Sequence, residues 1–138
     1  MIYLLEDDDS IRDFVIYTLN SQGMEARGFP LPSLFWQAVG EQMPALVLLD
    51  IIMPVMDGFE LLHHMAENHW IDDIPVIMIS SEDSSSSVKK AYEMGVSDYI
   101  SRPFDARVVY RRVFNTIKLY AKQRRLISMI SEQVREKD

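Results

Sequence analysis

The chain has 138 residues, enough for one domain with a short appendage. Its 48% hydrophobic and 10% aromatic residues can build a core, and its lack of cysteine excludes disulfide frameworks, thiolate zinc sites and cysteine nucleophiles. The net charge of -7 argues against non-specific nucleic-acid binding by the chain as a whole. That charge is uneven, however: residues 1–101 are acidic by 13 and residues 102–138 basic by 6, which points to two surfaces with different tasks. The opening MIYLLEDD has no basic leader and no long apolar run, so a soluble, cytoplasmic chain with no membrane segment is expected.

In chain order, Ile2-Tyr3-Leu4-Leu5 reads as a buried strand ended by four acids. Ile11, Phe14, Val15, Thr18 and Leu19 follow at helical spacing, with Asp9 or Ser10 placed to cap the start and Gly23 to close the helix. Met24 to Arg27 is a short second strand, and residues from Leu31 to Val39 read as helical. Leu46-Val47-Leu48-Leu49 is a third strand ending on Asp50. A turn over Pro54 to Gly58 leads to a helix marked by Phe59, Leu61, Leu62, Met65 and Ala66. Val76-Ile77-Met78-Ile79 is the fourth strand, ending on Ser80. A helix over Ser84 to Met94 is stopped by Gly95, and Ser97 to Ser101 forms a fifth strand before Arg102-Pro103.

The last helix spans about residues 105–136 without Gly or Pro, roughly 48 Å at the usual rise. That exceeds the width of a compact domain, so its end should project. Val113, Tyr120, Ile127 and Val134 fall seven apart with Ile117 and Ile130 between them, and Arg124 interrupts this short coiled-coil pattern.

Continuous apolar strands alternating with five helices call for right-handed crossovers and a parallel sheet covered on both faces. Such sheets bind ligands beyond the carboxyl ends of their strands. There the chain delivers Glu6 to Asp9, Asp50, Ser80-Ser81 and Arg102. Carboxylates suit a hard cation such as Mg²⁺, while a hydroxyl and a guanidinium suit phosphoryl oxygens. Outside this set, His63, His64 and His69 read as surface residues, Ser84 to Ser87 as a loop and helix cap, and the nine methionines as mostly core filler. The basic residues of the last helix read as a solvated face, without a recognisable DNA-binding unit.

The blocks LLEDDDSIR, LLDIIMPVMDGFELL, VIMISSED and DYISRPF resemble the receiver domain of bacterial two-component response regulators over about residues 1–120. The resemblance implies a flavodoxin-like five-stranded parallel sheet in the order 2-1-3-4-5 with five helices, the last one extended, leaving residues 121–138 as a helical extension or linker. It implies that Asp50 is the phosphoacceptor and that Glu6, Asp7, Asp50 and the carbonyl of Ile52 hold Mg²⁺. Ser80 then meets the phosphoryl group, and Tyr99 is the aromatic switch. Arg102 stands where the family has lysine, followed by Pro103. A guanidinium there can clamp a phosphoryl oxygen, or pair with Asp50 at rest and oppose phosphorylation.

The implied activity is a phosphorylation-dependent switch, not an enzyme beyond its own phosphorylation and dephosphorylation, read out through the fourth helix, fifth strand and fifth helix. Its implied partners are a sensor histidine kinase or phosphotransfer protein, an output domain in a longer chain, or a second copy through the last helix. The apolar Ile52, two residues past Asp50, implies slow hydrolysis of the phosphoryl group. A phosphatase with an aspartate nucleophile would need a carboxylate at position 52, where isoleucine stands. The other rival is a degenerate receiver, in which Arg102 locks the acidic pocket and the domain serves only for interaction.

Overall fold

The computed structural model describes residues 1–50, 58–80, 85–101 and 105–137. Along the chain run β1 (Ile2–Leu5), α1 (Asp9–Ser21), β2 (Ala26–Phe29), α2 (Pro32–Glu41), β3 (Leu46–Asp50) and α3 (Gly58–Glu67). Then come α4 (Trp70–Asp73), β4 (Val76–Ser80), α5 (Ser85–Glu93), β5 (Asp98–Ser101) and α6 (Ala106–Lys137). The strands form one parallel sheet in the order β2-β1-β3-β4-β5, as expected from the sequence.

The alternation of the strands divides the core into two layers. Tyr3, Leu5, Val47, Leu49, Val76, Met78 and Tyr99 face α2, α3 and α5, meeting Phe35, Leu61, Leu62, Met65 and Ala91. Ile2, Leu4, Leu46, Leu48, Ile77, Ile79 and Ile100 face α1 and α6, meeting Val15, Leu19, Val109 and Val113. Apolar residues on both faces explain why these strands read as unbroken hydrophobic runs. On the first side, Tyr3, Phe29 and Phe35 stack edge to face with centroids 5.1, 6.3 and 6.1 Å apart. The Tyr3 hydroxyl donates to the Gln42 carbonyl at 2.9 Å.

Three elements differ from the sequence expectations. The cap of α1 is Asp8, whose carboxylate accepts from the Ile11 N–H at 3.0 Å, not Asp9 or Ser10. β2 lies two residues later than expected, because the turn through Gly23 (φ 84°) is followed by an Asn20 side chain that takes the Ala26 N–H at 3.0 Å. Phe29 then becomes the buried anchor of the strand. The single turn α4 has no counterpart in the reading; it starts at His69, whose φ of 60° folds Trp70 back to 5.1 Å from Trp36. The expected fourth and fifth helices are therefore α5 and α6. Glu67, one turn after His63, also supplies that histidine with a carboxylate at 2.9 Å, a partner the sequence reading leaves out.

Gly40 sits inside α2 with nothing within 4 Å of where a Cβ would stand. Glycine there costs backbone entropy without serving a contact. Gly40→Ala should stabilise the fold by about 0.5–1 kcal/mol, read as a higher urea midpoint at constant slope.

α6 enters the core through Val109 and Val113 and passes the amino-terminal edge of the sheet. There Tyr120 meets Ser97 at 3.0 Å and Arg124 donates to the Asp73 carbonyl at 3.3 Å. Residues 121–133 are exposed, including Leu126, Ile127, Met129 and Ile130. Among the described residues no helix is long and apolar enough to cross a membrane.

Candidate functional site

Parallel register brings the acids together. Leu5 of β1 pairs with Leu49 of β3, so Glu6 and Asp50 leave their strands side by side at the carboxyl edge. Strand order reverses between β1 and β3, which is where open parallel sheets take their ligands. Asp7 follows Glu6 into the β1–α1 turn, and carboxylate oxygens of Glu6, Asp7 and Asp50 all lie within 4.8 Å of one another. Glu6 is 1% exposed and Asp50 4%, the two buried charged side chains among the described residues, whereas Asp7 is open to solvent.

An octahedral Mg²⁺ with ligands at about 2.1 Å spans about 4.2 Å between opposite oxygens. The three carboxylates lie close enough for one such ion to draw an oxygen from each, and the donor set is oxygen alone. Two desolvated carboxylates beside a third are costly unless a cation offsets them. The residues present therefore fit the cation that the sequence implied.

The other expected participants are partly in view. Ser80 is the last residue of β4, in register with Ser101 of β5, so its backbone reaches the same edge. Ile52 and Arg102 lie outside the described residues, as do Asp57 and Pro103. Tyr99 lies inside, packed in the α2–α5 core layer.

Around Tyr99 the structure adds residues that the sequence reading did not single out. Arg112 of α6 donates to the Tyr99 carbonyl at 3.0 Å and to Asp98 at 3.2 Å. Tyr92 of α5 donates to the same Asp98 carboxylate at 3.4 Å. Asp98 thus ties α5, β5 and α6 together. Partial burial, followed by the adjacent Asp98 charge, pushes the Tyr92 phenol above its usual range.

An acidic trio at the switch point of a doubly wound parallel sheet defines a class of ligand-taking α/β domains. Within it, the profile of the response regulator receiver domain matches residues 2–114, and the chain belongs to that family of bacterial two-component systems. It is 29% identical over 112 residues to the transcriptional regulatory protein GltR of Pseudomonas aeruginosa, covering 81% of this chain and 46% of GltR. The fold superposes on NtrX from Brucella abortus with a TM-score of 0.85 at 27% identity, covering 93% of this chain and 29% of NtrX. It also superposes on the BeF3-activated receiver domain of DrrB with a TM-score of 0.75 at 26% identity, covering 85% of this chain and 96% of that domain. The chain spans about half or less of the length of the curated relatives it matches.

Proposed function

We propose that this chain is a phosphorylation-dependent switch that accepts a phosphoryl group on Asp50 with the help of Mg²⁺. The observation that carries the reading is the gathering of Glu6, Asp7 and Asp50 within 4.8 Å, in a receiver-family chain. Residues 1–120 form the receiver and residues 121–138 a helical extension, in a cytoplasmic protein. The donor is a phosphohistidine of a sensor kinase or of a phosphotransfer protein.

A carboxylate oxygen of Asp50 attacks phosphorus, the phosphorus–nitrogen bond of the donor breaks, and the imidazole leaves with its electron pair. Glu6, Asp7, Asp50 and the Ile52 carbonyl are the proposed Mg²⁺ ligands. When bound, the ion offsets the carboxylates and the phosphoryl oxygens, which would otherwise repel one another. Ser80 supplies a hydroxyl and Arg102 a cation to the remaining oxygens. Water later attacks phosphorus and restores the Asp50 carboxylate, slowly because Ile52 stands two residues away.

The acyl phosphate brings new charge and acceptors to the carboxyl edge, which draws Ser80 toward it. Tyr99 passes that change to the α5–β5–α6 face, where an output domain or partner reads it. Of the sevenfold column, Val113 is buried in the core and Tyr120 is held by Ser97, so a second copy would be met by Ile127 and Ile130, joined by the exposed Leu126 and Met129; a monomeric mass by light scattering at high concentration would exclude that pairing.

The reading is tested by incubating the protein with Mg²⁺ and a small phosphodonor, followed by intact mass spectrometry. A gain of one phosphoryl group is expected. No gain, from protein that still binds Mg²⁺, would favour the degenerate interaction module over the switch.

A further inference from the structure

We propose that Arg12 is a positioning residue for the acidic cluster, holding the β1–α1 turn through a notch that only glycine at position 28 leaves open. The proposal rests on the reading of that cluster as a cation site.

Arg12 lies in the first turns of α1, yet its side chain is 14% exposed while that of Asp9 is 81% exposed. Instead of extending into water, it runs back across β2. Its Nη1 donates to the backbone carbonyl of Glu6 at 2.9 Å, and its Nη2 pairs with the Asp9 carboxylate. The path crosses Gly28, where a Cβ would lie 2.6 Å from Arg12 Cγ and 2.8 Å from Cδ. Those are mid-chain atoms, so a methyl group at position 28 displaces the whole side chain and not a flexible tip.

The consequence falls on Glu6 and Asp7. The Glu6 N–H donates to the Phe29 carbonyl at 3.1 Å, and the Glu6 carbonyl accepts from Arg12. Both peptide planes flanking Glu6 are therefore fixed, one by Phe29 of β2 and the other by Arg12 of α1. The second plane is also the one that leads into Asp7, which sits past the end of β1 and has no sheet pairing to hold it. Arg12 touches neither the cation nor the phosphoryl group in this scheme; it sets the direction from which two of the carboxylates approach.

A cation so near an acidic pocket has a second expected effect, of opposite sign. As a charge alone, Arg12 would compete with Mg²⁺, so its removal would tighten binding. As a positioning group, its removal weakens binding, by about tenfold for a partner one shell out from the ligands. The sign of the change separates the two roles.

The test is calorimetric titration of the whole chain with Mg²⁺, and with Mn²⁺ as a second probe, alongside amide hydrogen exchange without metal. Arg12→Gln should weaken binding about tenfold and speed exchange at Asp7. Gly28→Ala should do the same by expelling the guanidinium. In Arg12→Ala/Gly28→Ala the glycine substitution should add little to Arg12→Ala alone, because Cγ and Cδ of residue 12 are then gone and only Ile16 Cγ1, at 3.3 Å, remains to be met. Arg12→Lys, which keeps the charge and reaches one acceptor, should recover part of the affinity; it serves as the comparison if Gly28→Ala does not fold. Equal or tighter binding by Arg12→Gln, or unchanged exchange at Asp7, would overturn the proposal. Absence of binding by the unaltered chain would instead remove the cation site itself, while the exchange measurement still judges Arg12.

Discussion

Asp50→Asn should take up no phosphoryl group at saturating Mg²⁺, whereas the unaltered chain gains one; intact mass resolves the two outcomes. The amide has nearly the same shape as the carboxylate but lacks the anionic oxygen that attacks phosphorus, so the loss is of chemistry and not of fold. Saturating Mg²⁺ is needed because Asp50 also belongs to the acidic trio, and one carboxylate fewer weakens the grip on the ion. Circular dichroism should be unchanged. The thermal midpoint in metal-free buffer should be equal or higher, since one of two buried carboxylates has been neutralised. A variant that still gains a phosphoryl group would move the acceptor to a neighbouring carboxylate and refute the assignment of Asp50.

Phe35→Ala should cost about 3–5 kcal/mol, a large part of the roughly 5–15 kcal/mol that holds a domain of this size. Phe35 is fully buried in α2 and packs edge to face against Tyr3, Phe29 and Trp36. Truncation removes its transfer free energy and three ring contacts, and leaves a cavity between α2 and the sheet. Urea unfolding should show the midpoint drop with little change of slope. Tyr3→Phe is the contrasting case: it keeps the ring and removes only the hydroxyl given to the Gln42 carbonyl, for about 1 kcal/mol. Similar losses for the two variants would mean that the hydroxyl, and not the ring packing, holds this layer.

The strands were legible because burial on both faces writes itself as unbroken runs such as Leu46 to Leu49, whereas their order came from the resemblance to receiver domains. β2 was read two residues early because Arg27 and Gly28 interrupt its apolar pattern, and its real anchor is Phe29. α4 was illegible, being four residues long and started by a left-handed histidine that no spacing rule marks. In the site, Glu6, Asp7 and Asp50 could be grouped from sequence, since each follows an apolar strand and parallel strands deliver their ends to one edge. Arg12 and Arg112 could not, because the contacts that tie them to Glu6 and Tyr99 are to backbone carbonyls, reached by long side chains. The one available hint was Gly28, a glycine inside a strand, which marks a close approach by another group.

One uninterrupted helix from Ala106 to Lys137 joins the packed core to the exposed stretch beyond Arg124. Any chain carried past it is locked in torsional phase with the sheet: each residue inserted in the exposed stretch would turn the cargo by about 100° and advance it about 1.5 Å. Seven inserted residues return it to within about 20° of its starting bearing. Signal transmission along this rod should therefore follow the helical repeat of the insertion and not its length alone.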